Sequence, residues 1–141
     1  MTTINDKPSL IIHSANPEDD KKKMILALVA SFRWYSAYLF RGHSDISDES
    51  NLWNIAILLE SICNTVITAN CKQKEQFIVY LDENIGEELM SGLIGATRWY
   101  ANSADDDKYN ANEIDAQNLG MLAKLQQGLL KCFNTEIQNH A

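Results

Sequence analysis

The residues with the densest chemical potential lie in one stretch, SADDDKYNANE at positions 103–113. Asp105, Asp106 and Asp107 run consecutively, and Tyr109 and Glu113 follow. Carboxylates at such density hold a divalent cation, face a basic partner or simply cap a solvated turn. A calcium loop started at Asp105 would place Asp107 at its third position. Asn110 then stands where the turn glycine belongs, and Ala116 where the bidentate glutamate belongs. Both positions are required, so the stretch is not an EF-hand. The histidines, His13, His43 and His140, fall in predicted loops or termini. His43 with Asp45 is the best acid–base pair available, and a surface pair of this kind is incidental far more often than catalytic. No nucleophile elbow, phosphate-binding loop or dinucleotide fingerprint occurs. The expectation is a protein without catalytic residues, cofactor or metal.

Arginine supplies the other candidates. Arg33 and Arg98 each stand in an apolar helical pattern within the tripeptide Arg-Trp-Tyr. A guanidinium buried there needs a partner. Asp48 and Asp115, which open the following predicted helices, are the candidates. The favoured reading is a structural link in each half of the chain, Arg33 to Asp48 and Arg98 to Asp115. The alternative is a small-ligand protein or enzyme whose two arginines grip an anion between the halves. Trp34, Tyr35, Trp99 and Tyr100 could stack on bases, but at helical spacing among aliphatics they read as core.

The elements that carry these residues follow from composition and periodicity. The chain has 141 residues, 45% hydrophobic and 22% charged, enough for one domain with its own core. Two prolines and six glycines favour helices over a turn-rich β fold. Cys63, Cys71 and Cys132 are odd in number and lack the CxxC spacing, which points away from disulfides or zinc and toward the cytoplasm. The first 23 residues are too polar for a signal peptide, and the apolar run 24–40 contains Arg33, so neither a leader nor a membrane span is expected.

Two stretches match internally. ALVASFRWYSA (27–37) aligns with GLIGATRWYAN (92–102), and DESNLWNIAIL (48–58) with DAQNLGMLAKL (115–125). Two matches in the same order at nearly the same offset point to a duplication. Each unit reads as a helical hairpin, the first over about 16–70 and the second over about 82–139, with 1–15 as an N-terminal arm. Asn16 caps the first helix, Pro17 opens it and acidic residues occupy its first turn. Residues 41–50 read as a turn and 70–75 as a polar break. Leu52, Ile55, Leu59, Ile62 and Val66 form the next apolar stripe. Asn84 and Glu87 form a capping box before Leu89 and Leu93. Leu119, Leu122, Leu129 and Phe133 line the last helix. Segments 9–13 and 76–81 are short extra helices or strands; 76–81 leans to a helix, with pairing of the two as the alternative. The expected fold is all-α: a four-helix bundle of two duplicated hairpins, with Ala27, Ala30 and Ser31 facing Gly92, Gly95 and Ala96 in close helix packing.

Net charge is −7, which argues against direct nucleic-acid binding. The acids are not evenly spread. In the hairpin reading both turns share one pole, which carries eight acids, Asp45, Asp48, Glu49, Asp105, Asp106, Asp107, Glu113 and Asp115, against Arg41 and Lys108. A one-signed pole steers a basic partner. The expected function is therefore an acidic inhibitor of a basic protein, such as an immunity protein or antitoxin against a nuclease toxin, or a nucleic-acid mimic. The expected contacts are Asp45, Glu49, Asp105, Asp106, Asp107, Tyr109 and Glu113. A homo-oligomeric assembly subunit using an apolar helix face is a further alternative.

Overall fold

The computed structural model describes residues 9–40, 46–81, 86–104 and 113–140, with the side chains of 9–36, 49–81, 89–98 and 116–131. Strand β1 (Ser9–His13) leads into helix α1 (Pro17–Phe40). Helix α2 (Ile46–Cys63), the short helix α3 (Ala69–Lys74) and strand β2 (Gln76–Tyr80) follow, then helices α4 (Gly86–Ala104) and α5 (Glu113–His140). The described chain is mostly helical, with one two-stranded sheet.

Local chemistry sets several boundaries. Asn16 caps α1 as its side-chain type predicts: its Oδ1 accepts from the Asp19 N–H (3.4 Å) and its carbonyl from the Asp20 N–H (2.9 Å). Thr68 caps α3 by accepting from the Cys71 N–H at 3.3 Å. Glu75 ends α3 in the left-handed region (φ 51°, ψ 46°), where its N–H turns back to the last helical carbonyls. That reversal aims the chain into β2.

The segment 76–81, leaning to a helix on sequence, is a strand through residue 80. The physical reason is a partner 67 positions away: β2 pairs antiparallel with β1, centred on Ile11 opposite Ile78. Leu10, Ile12, Phe77 and Val79 all point inward and are buried, so the pair behaves as one half-buried ribbon. The turn expected over 41–50 is shorter, because α2 already begins at Ile46, and the polar break at 70–75 holds α3.

The four long helices close a ring of contacts: α1 on α2, α2 on α4, α4 on α5, and α5 on α1, with α5 also under β1. Lys21 ties the start of α1 to the end of α2, donating to the carbonyls of Thr65 (2.7 Å) and Cys63 (3.4 Å). Gln126 of α5 donates to Thr97 of α4 at 2.7 Å. Leu28, Ile55, Leu58, Leu93, Leu122 and Leu125 fill the centre.

The expected approach of α1 to α4 through small residues is corrected. These helices lie across the ring from each other without extensive contact. Gly92 serves α2 instead: a Cβ there would stand 3.5 Å from the Asn51 carbonyl oxygen and 3.6 Å from Ile55. Gly95 makes room for the hydroxyl of Tyr35.

Burial follows the internal match closely. Residues 27–33 and 92–98 run through the same order of buried, intermediate and exposed positions. Leu28 and Leu93 are fully buried, and Val29 and Ile94 are 38% and 39% exposed. The α2 segment 52–55 and the α5 segment 119–122 also share their order. Of the expected capping box, Asn84 lies outside the described residues, and Glu87 is the second residue of α4 with its side chain outside the described set.

Candidate functional site

Two ends of the molecule present functional groups. Their levels follow from the sheet. Gly128 of α5 touches β1, and Ser61 of α2 shares a hollow with Ile78 and Tyr80 of β2. Each lies fifteen residues beyond the first residue of its helix. At about 1.5 Å per residue, both helices therefore begin roughly 22 Å from the sheet. The starts of α2 and α5 thus share the end of the ring opposite the sheet.

Glu49 is the fourth residue of α2, at this far end, and is exposed. Glu113 is the first residue of α5. Asp48 and Asp115 lie in the first turns of α2 and α5, with side chains outside the described set. Asp45, Asp105, Asp106, Asp107 and Tyr109 also lie outside the described residues. The sequence reading missed Trp53, which stands one turn after Glu49 and is 67% exposed. The internal match carried the signal. Position 53 corresponds to Gly120, and a position that tolerates both tryptophan and glycine is not a core position. A Cβ on Gly120 would meet nothing within 4 Å, so both positions face solvent.

Arg33 and Arg98 were expected to be buried, but both are exposed. The partners expected for them, Asp48 and Asp115, have side chains outside the described set. Helix phase explains the exposure: Leu26, Val29 and Arg33 share the outward side of α1, and Ile94 and Arg98 that of α4, so apolar residues disguise two solvent faces. The outer faces of helices opposite in the ring point apart. Trp34 is half-buried and Tyr35 is core. The side chain of Trp99 lies outside the described set.

At the sheet end, Asp20 in the first turn of α1 is buried and receives Lys124 of α5 at 2.8 Å. Burial pushes its carboxyl up. Hydrogen bonds from Lys124 and Ser14, with the charges of Lys124 and Lys23, outweigh burial and hold it below its usual value. Beside β2 lie two adjoining hollows of 280 and 220 Å³ that share Val66, Ile78 and Tyr80. Cys71 lines the second, and hydrogen bonding to Thr68 lowers its thiol below the ordinary value.

Among the described residues, no three His, Cys, Asp or Glu side chains lie close enough together to hold a metal ion, and no helix is long and apolar enough to cross a membrane. No family model, curated protein or solved structure matches the chain.

Proposed function

We propose that the chain is an acidic protein-binding inhibitor that covers a basic partner with the end of the ring where α2 and α5 begin. The class that fits is an immunity protein or antitoxin against a nuclease-type toxin, or a mimic of nucleic acid. One observation carries the reading: Trp53, 67% exposed, stands one turn from exposed Glu49 on the helix whose first turns hold the acidic residues. A solvated acidic cap needs no tryptophan, whereas interfaces concentrate their binding energy in such aromatic anchors. The acidic residues set the encounter rate and Trp53 the lifetime of the complex.

The test is capture from native-source lysate at low and moderate salt, followed by kinetics with the recovered protein. Replacing Asp105, Asp106 and Asp107 with lysine slows association in a salt-dependent way. Trp53→Ala speeds dissociation with association nearly unchanged. A partner that is acidic, or indifferent to both changes, removes the proposal.

A homo-oligomer is the second reading, favoured by Leu26 (57% exposed) beside Val29 on α1. Light scattering distinguishes it. The exposed arginines on opposite helices give no support to a ligand gripped between the halves.

We also infer that the chain is a duplicated β-α-α unit, folded as a four-helix bundle with a two-stranded sheet. The matched burial along α1 and α4, the pairing of Ile11 with Ile78 and the closed ring of helices support this.

A further inference from the structure

The two halves differ at one contact, and the difference leaves a strand edge open. In the first half-sheet, α5 closes onto β1 at Gly128. A Cβ there would stand 2.9 Å from Ile12 Cδ1 and 3.3 Å from the Ile11 carbonyl oxygen. Ile78 faces Ile11 at the centre of the ladder, and Ser61 and Gly128 stand equally far along α2 and α5. Ser61 carries the side chain that Gly128 lacks, with its hydroxyl donating to the Ile57 carbonyl at 2.9 Å. Helix α2 touches β2 far less than α5 touches β1, and the 280 Å³ hollow lies between Ser61, Ile78 and Tyr80.

The ladder fixes which backbone groups face away from β1. The Ser14 N–H donates to the Glu75 carbonyl at 2.9 Å, continuing the strand register. Alternation along that register gives the bonds to β1 to Phe77 and Val79. The N–H and C=O groups of Gln76, Ile78 and Tyr80 therefore point to the other edge. Among the described residues, no further backbone group bonds to them.

The walls say what fits. They are apolar at Val66, Ile78 and Tyr80, and the residues lining the two hollows include one cation, Lys74, and no acid. Lys74 makes no ion pair among the described residues. Lys74 is thus the one charged side chain among the residues that line the hollows.

We propose that β2 receives an extended acidic peptide as a third strand. The peptide's backbone bonds to Ile78 and Tyr80, an apolar side chain lies against Val66, and a carboxylate meets Lys74. A second copy of this chain suits the groove less well. Each β2 edge is flanked by its own Asn64, Thr65 and Val66, with Val66 76% exposed, and a single extended peptide carries no such flank of its own. This groove lies at the opposite end from Glu49 and Trp53, so the two proposals stand or fall separately.

The test is selection of a displayed library of linear peptides on the full chain, with amide hydrogen exchange of free and bound protein. In the free protein the Phe77 and Val79 amides exchange slowly and those of Ile78 and Tyr80 quickly. Retained peptides are expected to be acidic with alternating apolar residues, and to protect Ile78 and Tyr80. Ser61→Trp, which fills the hollow from α2, weakens them at least about tenfold, or 1.4 kcal/mol. Ile78→Pro, which deletes one outward N–H, does the same where it folds, and Lys74→Glu selects against acidic sequences. Three results overturn the proposal: no peptide retained, retained peptides that leave Ile78 and Tyr80 unprotected, or protection that appears with concentration and a doubled mass in the absence of peptide.

Discussion

The hydroxyl of Tyr35 on α1 donates to the carbonyl oxygen of Gly92 on α4 at 2.9 Å, a hydrogen bond that crosses the ring between these opposite helices. It occupies the space where a side chain on Gly95 would begin. Gly95 of α4 therefore admits a tyrosine to the core rather than bringing the backbones of α1 and α4 together.

Gly95→Ala should collide with that hydroxyl and destabilise the fold by about 1–3 kcal/mol, the usual range for overpacking. Tyr35→Phe alone should cost about 1 kcal/mol for the lost hydrogen bond. The double variant should be more stable than the sum of the two losses, because removing the hydroxyl vacates the space. Denaturant unfolding of the four proteins measures the coupling, and strict additivity would show that the two residues do not compete.

The α5 glycines should respond with opposite signs. Gly120 has open space around its Cβ position, so Gly120→Ala should stabilise by about 1 kcal/mol through helix propensity. Gly128 is closed against β1, so Gly128→Ala should destabilise by about 1–3 kcal/mol less that gain. Equal shifts in unfolding midpoint would contradict the packing of α5 on the strand.

Asp20 should make the fold acid-sensitive. Its carboxyl titrates below the unfolded value when folded, because Lys124 and Ser14 bond to it. The stabilisation is complete above the unfolded value, about 3.9, and is lost as pH falls through the folded one. Asp20→Asn should therefore cost about 1 kcal/mol at neutral pH, and the gap from wild type should narrow in strong acid. A gap independent of pH would assign the effect to packing.

Glu75 holds a left-handed backbone without being glycine. Glu75→Gly should stabilise by about 1 kcal/mol by removing that strain. The midpoint should move without a change in denaturant slope, and a loss of stability would mean that the glutamate side chain contributes more than its backbone costs.

What the sequence made legible was local or repeated. Asn16 and Pro17 announce the start of α1 through their own chemistry, and the match of Leu28 with Leu93 marks two equivalent core positions. The strand at 76–80 was not legible, because its partner is remote and Phe77, Tyr80 and Leu81 also fit a helical face. Burial of Arg33 was misjudged for a related reason: Leu26 and Val29 lie on the solvent side with it, so hydrophobicity does not mark the inner face of α1. At the candidate site, acidic Glu49 was visible as charge, whereas Trp53 reads as core by residue type.

The pairing of Ile11 with Ile78 also sets an order of events in folding. Each helix hairpin involves near neighbours in sequence, but the sheet must close a loop of more than sixty residues, and loop-closure entropy makes such contacts late. A nascent chain emerging from the ribosome can build α1 and α2 while β1 still has no partner. Until both β2 and α5 have been made, Leu10 and Ile12 lack the partners that bury them, and that interval is when the chain is most exposed to aggregation or to a chaperone.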